Sequence, residues 1–189
     1  MSMTVTVRHG LGLAKVLARR DALAALREQF QAHFGLTLPN APRRVSVRDV
    51  AVIGLGPGSW LVSQEGSGND WALHLKSVLG DRASISDQSD AYIVLRLTGP
   101  DLRTTLAKLV PIDLHDRIFA PGHVAETIAS HLGVILWRLE DDPLRAPVFE
   151  LAVSRSFSAS LYEALATIVA DSESVTRLAA SHTINHAAT

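Results

Sequence analysis

Apolar positions recur at helical spacing in one early segment, Leu23, Leu26, Phe30 and Phe34. Steps of three and four predict a helix from Asp21 to about Phe34, with Asp21 as N-cap and Gly35 as C-cap. A short strand, Leu13 to Ala18, precedes it. Residues 37–48, punctuated by Pro39, Asn40 and Pro42, read as a loop. Asp49 to Leu55 is a nearly unbroken apolar run, as a strand buried on both faces would be. Trp60 to Ser63 is its antiparallel partner through a hairpin at Gly56–Ser59. Trp71, Leu75, Val78 and Leu79 mark a helix over 69–79 that Gly80 ends. Ala83 to Asp87 and Ala91 to Leu97 are strands, and a helix capped by Thr98 runs from Pro100 to about Leu109. Residues 111–121 are irregular. Strand patterns return at 122–129, 133–139 and 148–153, and a last helix, starting at Ser156 or Ser158, carries Leu161, Leu165, Ile168 and Val169. Residues 1–10 look frayed, and the tail after Asp171 is weakly patterned and rich in Ala.

The elements repeat. Residues 14–79 and 93–170 both read strand, helix, strand, strand, helix, with a further short strand in the first half. Asp21 and Leu26 match Asp101 and Leu106, and Trp71 and Leu75 match Leu161 and Leu165. This is a repeat of topology, and its unit is the split β-α-β of ferredoxin-like folds. The expected class is therefore α+β, with two pseudo-repeated ferredoxin-like units sharing a core. Neither unit alone buries much, which argues for a single compact domain of two half-repeats, about 13–88 and 89–171. Residues 1–10 and 172–189 are expected to be flexible ends.

Composition narrows the functions. The 189 residues are 47% hydrophobic and 20% charged, with a formal net charge of −1. That balance excludes bulk disorder and gives no electrostatic case for nucleic acid or a membrane surface. With no cysteine, thiolate chemistry, disulfides and Cys-ligated zinc are excluded. Aromatic residues are only 5%, too few for base-stacking platforms. The most apolar stretch, Ala51 to Val62, is broken by Gly54, Gly56, Pro57, Gly58 and Ser59 and falls short of a membrane span. Arg8, His9 and Lys15 break any signal-peptide core, and although the acid-free start faintly resembles a transit peptide, a cytoplasmic location is expected.

Several motifs invite chemistry. Gly54, Gly56 and Gly58 follow an apolar strand, but Ser59 replaces the third glycine of a dinucleotide fingerprint and Trp60 opens a strand instead of a helix. A turn is the better reading. No Gly-x-Ser-x-Gly elbow is present, Ser67 being flanked by Gly66 and Gly68 in the wrong order. Asp113, His115, Asp116 and Arg117 form either an acid/base site or mutual salt bridges, and the second reading is preferred. Arg43, Arg44 and Arg48 make a basic patch, read as a solvated loop in preference to an anion site. His182 and His186 share a helical spacing without a visible third ligand, and His123 and His131 bracket a strand. Trp60, Trp71 and Trp137 are core or interface anchors. Arg155, at a strand-to-helix junction, either caps a carbonyl or binds a partner carboxylate.

Four segments in register resemble a known family. They are Leu55 to Val62, Leu95 to Asp101, Pro111 to His115 with Phe119, and Val153 to Phe157 continuing to Leu161. In this order they are similar to the gamma subunit of heterotetrameric sarcosine oxidase, over about residues 13–171. That family is related to the folate-binding fold of the glycine-cleavage T-protein. The resemblance implies a small structural subunit working with alpha, beta and delta subunits. The complex oxidises sarcosine to glycine and hydrogen peroxide and passes a one-carbon unit to tetrahydrofolate. FAD, FMN, NAD, zinc and tetrahydrofolate are expected on the other subunits and no cofactor on this chain. The T-protein's catalytic Asp lies near a hairpin turn whose nearest counterpart here, Ser130 to Trp137, holds no carboxylate, so no catalytic residue is carried over. Trp60, Phe119 and Arg155 are the expected partner-interface residues, because aromatic and Arg side chains anchor interfaces. A mean hydropathy of +0.18 agrees with an apolar surface covered by partners. The alternatives are a stand-alone folate-binding aminomethyltransferase-like protein and a gamma-type subunit of another secondary-amine oxidase or dehydrogenase.

Overall fold

A computed structural model describes residues 3–168 and 170. Its strands, in chain order, are β1 (Thr4–Val7), β2 (Gly12–Ala18), β3 (Arg44–Val47), β4 (Val50–Gly56), β5 (Ser59–Gln64), β6 (Ala83–Asp87), β7 (Tyr92–Thr98), β8 (Val124–Ala129), β9 (Leu132–Arg138) and β10 (Val148–Ser154). The helices are α1 (Leu23–Phe34), α2 (Trp71–Leu79), α3 (Leu102–Leu106) and α4, residues 158–168. The strands form two antiparallel five-stranded sheets, β3-β4-β5-β2-β6 and β1-β7-β10-β9-β8.

Within the first sheet, β2, β4, β5 and β6 with α1 and α2 make a split β-α-β unit in the order β6-β2-β5-β4. The second sheet repeats that order as β1-β7-β10-β9. Here the place that β6 holds in the first sheet is taken by the N-terminus: β1 pairs antiparallel with β7 from Thr4↔Thr98 to Val7↔Leu95. Residues 3–10 are thus not frayed, contrary to the sequence expectation. The alternation of Thr and Val fits an edge strand whose partner is some ninety residues away in sequence.

Side-chain alternation divides each strand between two cores. From the second sheet, Leu95, Leu97, Leu132, Leu136, Leu151 and Val153 face α3 and α4, burying Leu102, Leu106, Leu161 and Leu165. From the first, Val16, Val52, Trp60 and Val62 face α1 and α2, burying Leu26, Phe30, Trp71 and Leu75. The opposite faces meet each other. Leu13, Ile53 and Leu61 pack against Val94, Val124, Ile135, Trp137 and Ala152. The layers run helix, sheet, sheet, helix, which is why the central strands read as continuous apolar runs.

Local departures have physical reasons. Asp21 does not cap α1; it sits at φ 64°, in the turn that Ala22 N–H closes onto the Arg19 carbonyl, and Ala22 is the N-cap. Gly35 closes the helix at φ 68°, as expected. The 37–48 segment contains β3, a four-residue edge strand turned onto β4 through Arg48 at φ 53°. α3 is shorter than expected, with Asp101 and not Thr98 at its N-cap position. Gly54 and Gly58 serve the fold. A Cβ at Gly54 would lie 2.4 Å from the Ala41 carbonyl oxygen, and Gly58 takes φ 70° after Pro57, the residue order of a type II turn. Val169 and the 172–189 tail, with His182 and His186, lie outside the described residues.

Candidate functional site

Glu150, on the inter-sheet face of β10, is 5% exposed. The strand register places it directly between Arg96 on β7 and Trp137 on β9. The Arg96 Nε–H donates to Glu150 Oε1 at 2.9 Å, and the Trp137 indole N–H donates to Oε2 at 2.9 Å. Arg8 approaches the same carboxylate at 3.6 Å and also pairs with Glu65 in the turn after β5. Arg44, expected in a solvated loop, lies on β3 beside this cluster, and burial lowers its pKa while Glu150 opposes that effect. Its guanidinium remains charged in either case. The result is a polar knot between two apolar sheet faces.

A second buried cation is Arg138, 2% exposed at the end of β9. It donates to Asp141 Oδ1 at 2.8 Å and to the Phe119 carbonyl at 3.1 Å, pairs with Asp116, and lies over the Phe149 ring at 5.8 Å. Desolvation would raise the Asp116 pKa, but the hydrogen bond and charge of Arg138, with Arg103 and His115, outweigh it and hold that carboxyl below its ordinary value. Asp113 accepts the His115 backbone N–H at 2.8 Å. The Asp113–Arg117 segment is therefore a salt-bridged loop clamp. Its ionised, paired carboxylate is poorly suited to proton transfer.

The three expected interface residues separate. Trp60 is fully buried against α1 and α2, its indole donating to the Pro39 carbonyl at 2.8 Å, so it has no surface to offer a partner. Phe119 is also core, stacked at 6.1 Å on Phe149 and edge-on to His123 at 5.7 Å. Arg155 is exposed at the start of a single 3-10 turn before α4. Its Nε–H donates to the Asp90 carbonyl at 2.7 Å, and it faces the Asp90 carboxylate at 3.5 Å. Of the two readings open for Arg155, the structure shows carbonyl capping. It ties α4 to the connection between the two sheets and borders a groove of about 390 Å³ with Tyr92, Asn69 and Tyr162.

The sequence reading missed Glu150, Arg96, Arg8 and Arg138. A signal existed for three of them: single charges inside strongly apolar strands, as in Leu95-Arg96-Leu97, Phe149-Glu150-Leu151 and Trp137-Arg138-Leu139. Such charges persist in a core only when paired. Among the described residues, no three His, Asp or Glu side chains gather as a metal site.

The paired ferredoxin-like sheets with flanking helices define a fold class found in aminomethyltransferases. The chain superposes on the glycine cleavage system aminomethyltransferase T of Bartonella henselae with a TM-score of 0.60, covering 86% of this chain and 45% of that one at 12% identity. A chain of the heterotetrameric sarcosine oxidase from Corynebacterium sp. U-96, solved with pyrrole 2-carboxylate, superposes with a TM-score of 0.76 over 89% of this chain and 84% of that one, at 24% identity. The model of the sarcosine oxidase gamma subunit family matches residues 18–181. The chain belongs to that family. It is similar to the sarcosine oxidase subunit gamma of Corynebacterium sp. (strain P-1), 37% identical over 95 residues, which are 49% of this chain and 46% of that protein. It is also similar to the subunit gamma of an Arthrobacter species, 34% identical over 110 residues, 57% of this chain and 54% of that one. The chain thus spans about half the length of these curated relatives.

Proposed function

We propose that this chain is a non-catalytic structural subunit of a cytoplasmic heterotetrameric sarcosine oxidase. In this reading alpha, beta and delta subunits carry FAD, FMN, NAD, zinc and tetrahydrofolate. They perform the oxidative demethylation of sarcosine to glycine, with hydrogen peroxide and a transferable one-carbon unit. Family membership across residues 18–181 carries the reading. The site chemistry supports it: Glu150 and Arg138 bind their own chain's strands and loops, which is what a scaffold requires of buried charge.

The test is native co-purification of the tagged full-length chain from its source cells, with the flavin absorbance recorded. A yellow complex with three other chains and sarcosine-dependent peroxide release supports the reading. A colourless chain recovered alone overturns it, and tetrahydrofolate titration of that chain then tests a stand-alone aminomethyltransferase-like role.

A further inference from the structure

Part of the second sheet's inner face is exposed to solvent. Alternation along the strands sets Tyr92, Glu126, Ile128, Gly133, Ile135 and Ser154 on that face, around a groove of about 540 Å³. Ile128 is 47% exposed and lies directly across from Gly133. A Cβ built at Gly133 meets nothing within 4 Å, so the floor of the groove has room for another side chain.

The groove is bordered by an open strand edge. At the start of β8 the Val124 N–H points outward and donates to the Pro42 carbonyl at 3.1 Å, and Arg43 bridges to His123. Residues 42–44 therefore begin a strand beside β8 and then turn away into β3. With a period of two, the N–H and C=O of Glu126 and Ile128 point the same way as those of Val124. Among the described residues no hydrogen bond reaches them from that side. The Glu126 carboxylate is exposed and faces no cation within ion-pair distance among those residues.

We infer that this edge and groove dock an extended segment of another subunit. The segment adds as a strand beside Glu126–Ile128, continuing the pairing that Pro42 begins. It lays a long apolar side chain across Ile128 toward the open space at Gly133 and places a lysine or arginine against Glu126. The Glu126 carboxylate selects the occupant: a second copy pairing through β8, Val-Ala-Glu-Thr-Ile-Ala, brings no cation to it, whereas a basic-apolar segment does. The inference rests on the subunit reading above and names the surface through which it operates.

The test uses the full chain, free and in the complex co-purified from source cells, with wild type, Gly133→Leu and Glu126→Lys. Backbone amide exchange at Glu126 and Ile128 is expected to slow by at least about tenfold in the complex. Gly133→Leu fills the groove from an open position and adds a better strand former, so the free variant keeps the wild-type melting temperature or exceeds it. Its recovery of partner chains falls by about tenfold, and Glu126→Lys falls similarly. The inference is overturned if the complex forms while those two amides exchange as in the free chain, or if both variants recover partners as wild type does. If wild type recovers no partner chain, the subunit reading fails and the docking surface fails with it.

Discussion

The Trp137 indole N–H donates to Glu150 Oε2 at 2.9 Å across neighbouring strands, in the layer where the two sheets meet. The bond fixes which carboxylate oxygen is left for the arginines: Oε1 takes Arg96 and lies nearest Arg8. Glu150 thus holds β7, β9 and the end of β1 in one register.

Removing that carboxylate leaves the buried Trp137 N–H without its acceptor, while Arg96, 37% exposed, keeps contact with water. Glu150→Ala is therefore expected to cost about 1–3 kcal/mol, the range for one buried donor left unsatisfied, with little added by the screened arginine. Glu150→Gln keeps an acceptor for Trp137 and costs less. Urea unfolding of the three proteins checks the order, and equal midpoints would contradict it.

Asp116 contributes to stability only while ionised. Its pKa is held below the ordinary 3.8, so its pairing with Arg138 and Arg103 is fully present above about pH 4 and lost as pH falls through the folded value. Asp116→Asn should be less stable than wild type at pH 7 and show a flatter stability profile below pH 4. Because the side chain is 54% exposed, water screens the pair and the difference is modest. Denaturant titrations between about pH 2 and 7 measure both slopes.

His123 behaves in the opposite direction to a salt-bridged histidine. Burial lowers its pKa, Arg43 adds to this, and a hydrogen bond with the Ile118 backbone opposes both. The neutral form is favoured in the folded chain. Stability is therefore complete above the unfolded value near 6.5 and declines as pH drops below it, where the unfolded chain takes up the proton first. His123→Phe, which keeps a ring against Phe119, should remove this part of the decline between about pH 7 and 5. Thermal melts across that window would show it, and an unchanged slope would refute it.

Deleting residues 1–7 removes β1 and its contacts from Met3, Val5 and Val7 to the second core. A loss of about 2–4 kcal/mol is expected from the apolar area uncovered. The freed edge of β7 should also make the protein aggregate on heating. A melting curve identical to wild type would show that the strand contributes nothing.

Much of this fold was legible from local pattern. The hairpin at Gly56–Ser59, the Gly35 cap and the strand at Ala83–Asp87 all follow from residues close together in the chain. The repeat was visible as well, because each unit obeys the same alternation of periods. What stayed hidden depends on distant partners. β1 and β3 are short edge strands, stable only because β7 and β4 lie beside them. Trp60 and Phe119 have side chains suited to an interface or a core, and only the packing of α1 and Phe149 against them decides for the core. Arg155 was placed correctly at its junction, but its carbonyl acceptors come from a loop some sixty residues earlier in sequence.

In the role proposed above, this chain holds an oxidase together without performing its chemistry. The most direct test of that role is omission and rescue. The remaining subunits would be produced with and without this chain, and assembly mass and sarcosine-dependent peroxide release would be measured together. Loss of both the full-size complex and turnover on omission, with recovery of both when the chain is supplied, is the predicted result. A complex of the remaining subunits that assembles fully and turns over at the same rate without it would refute that role.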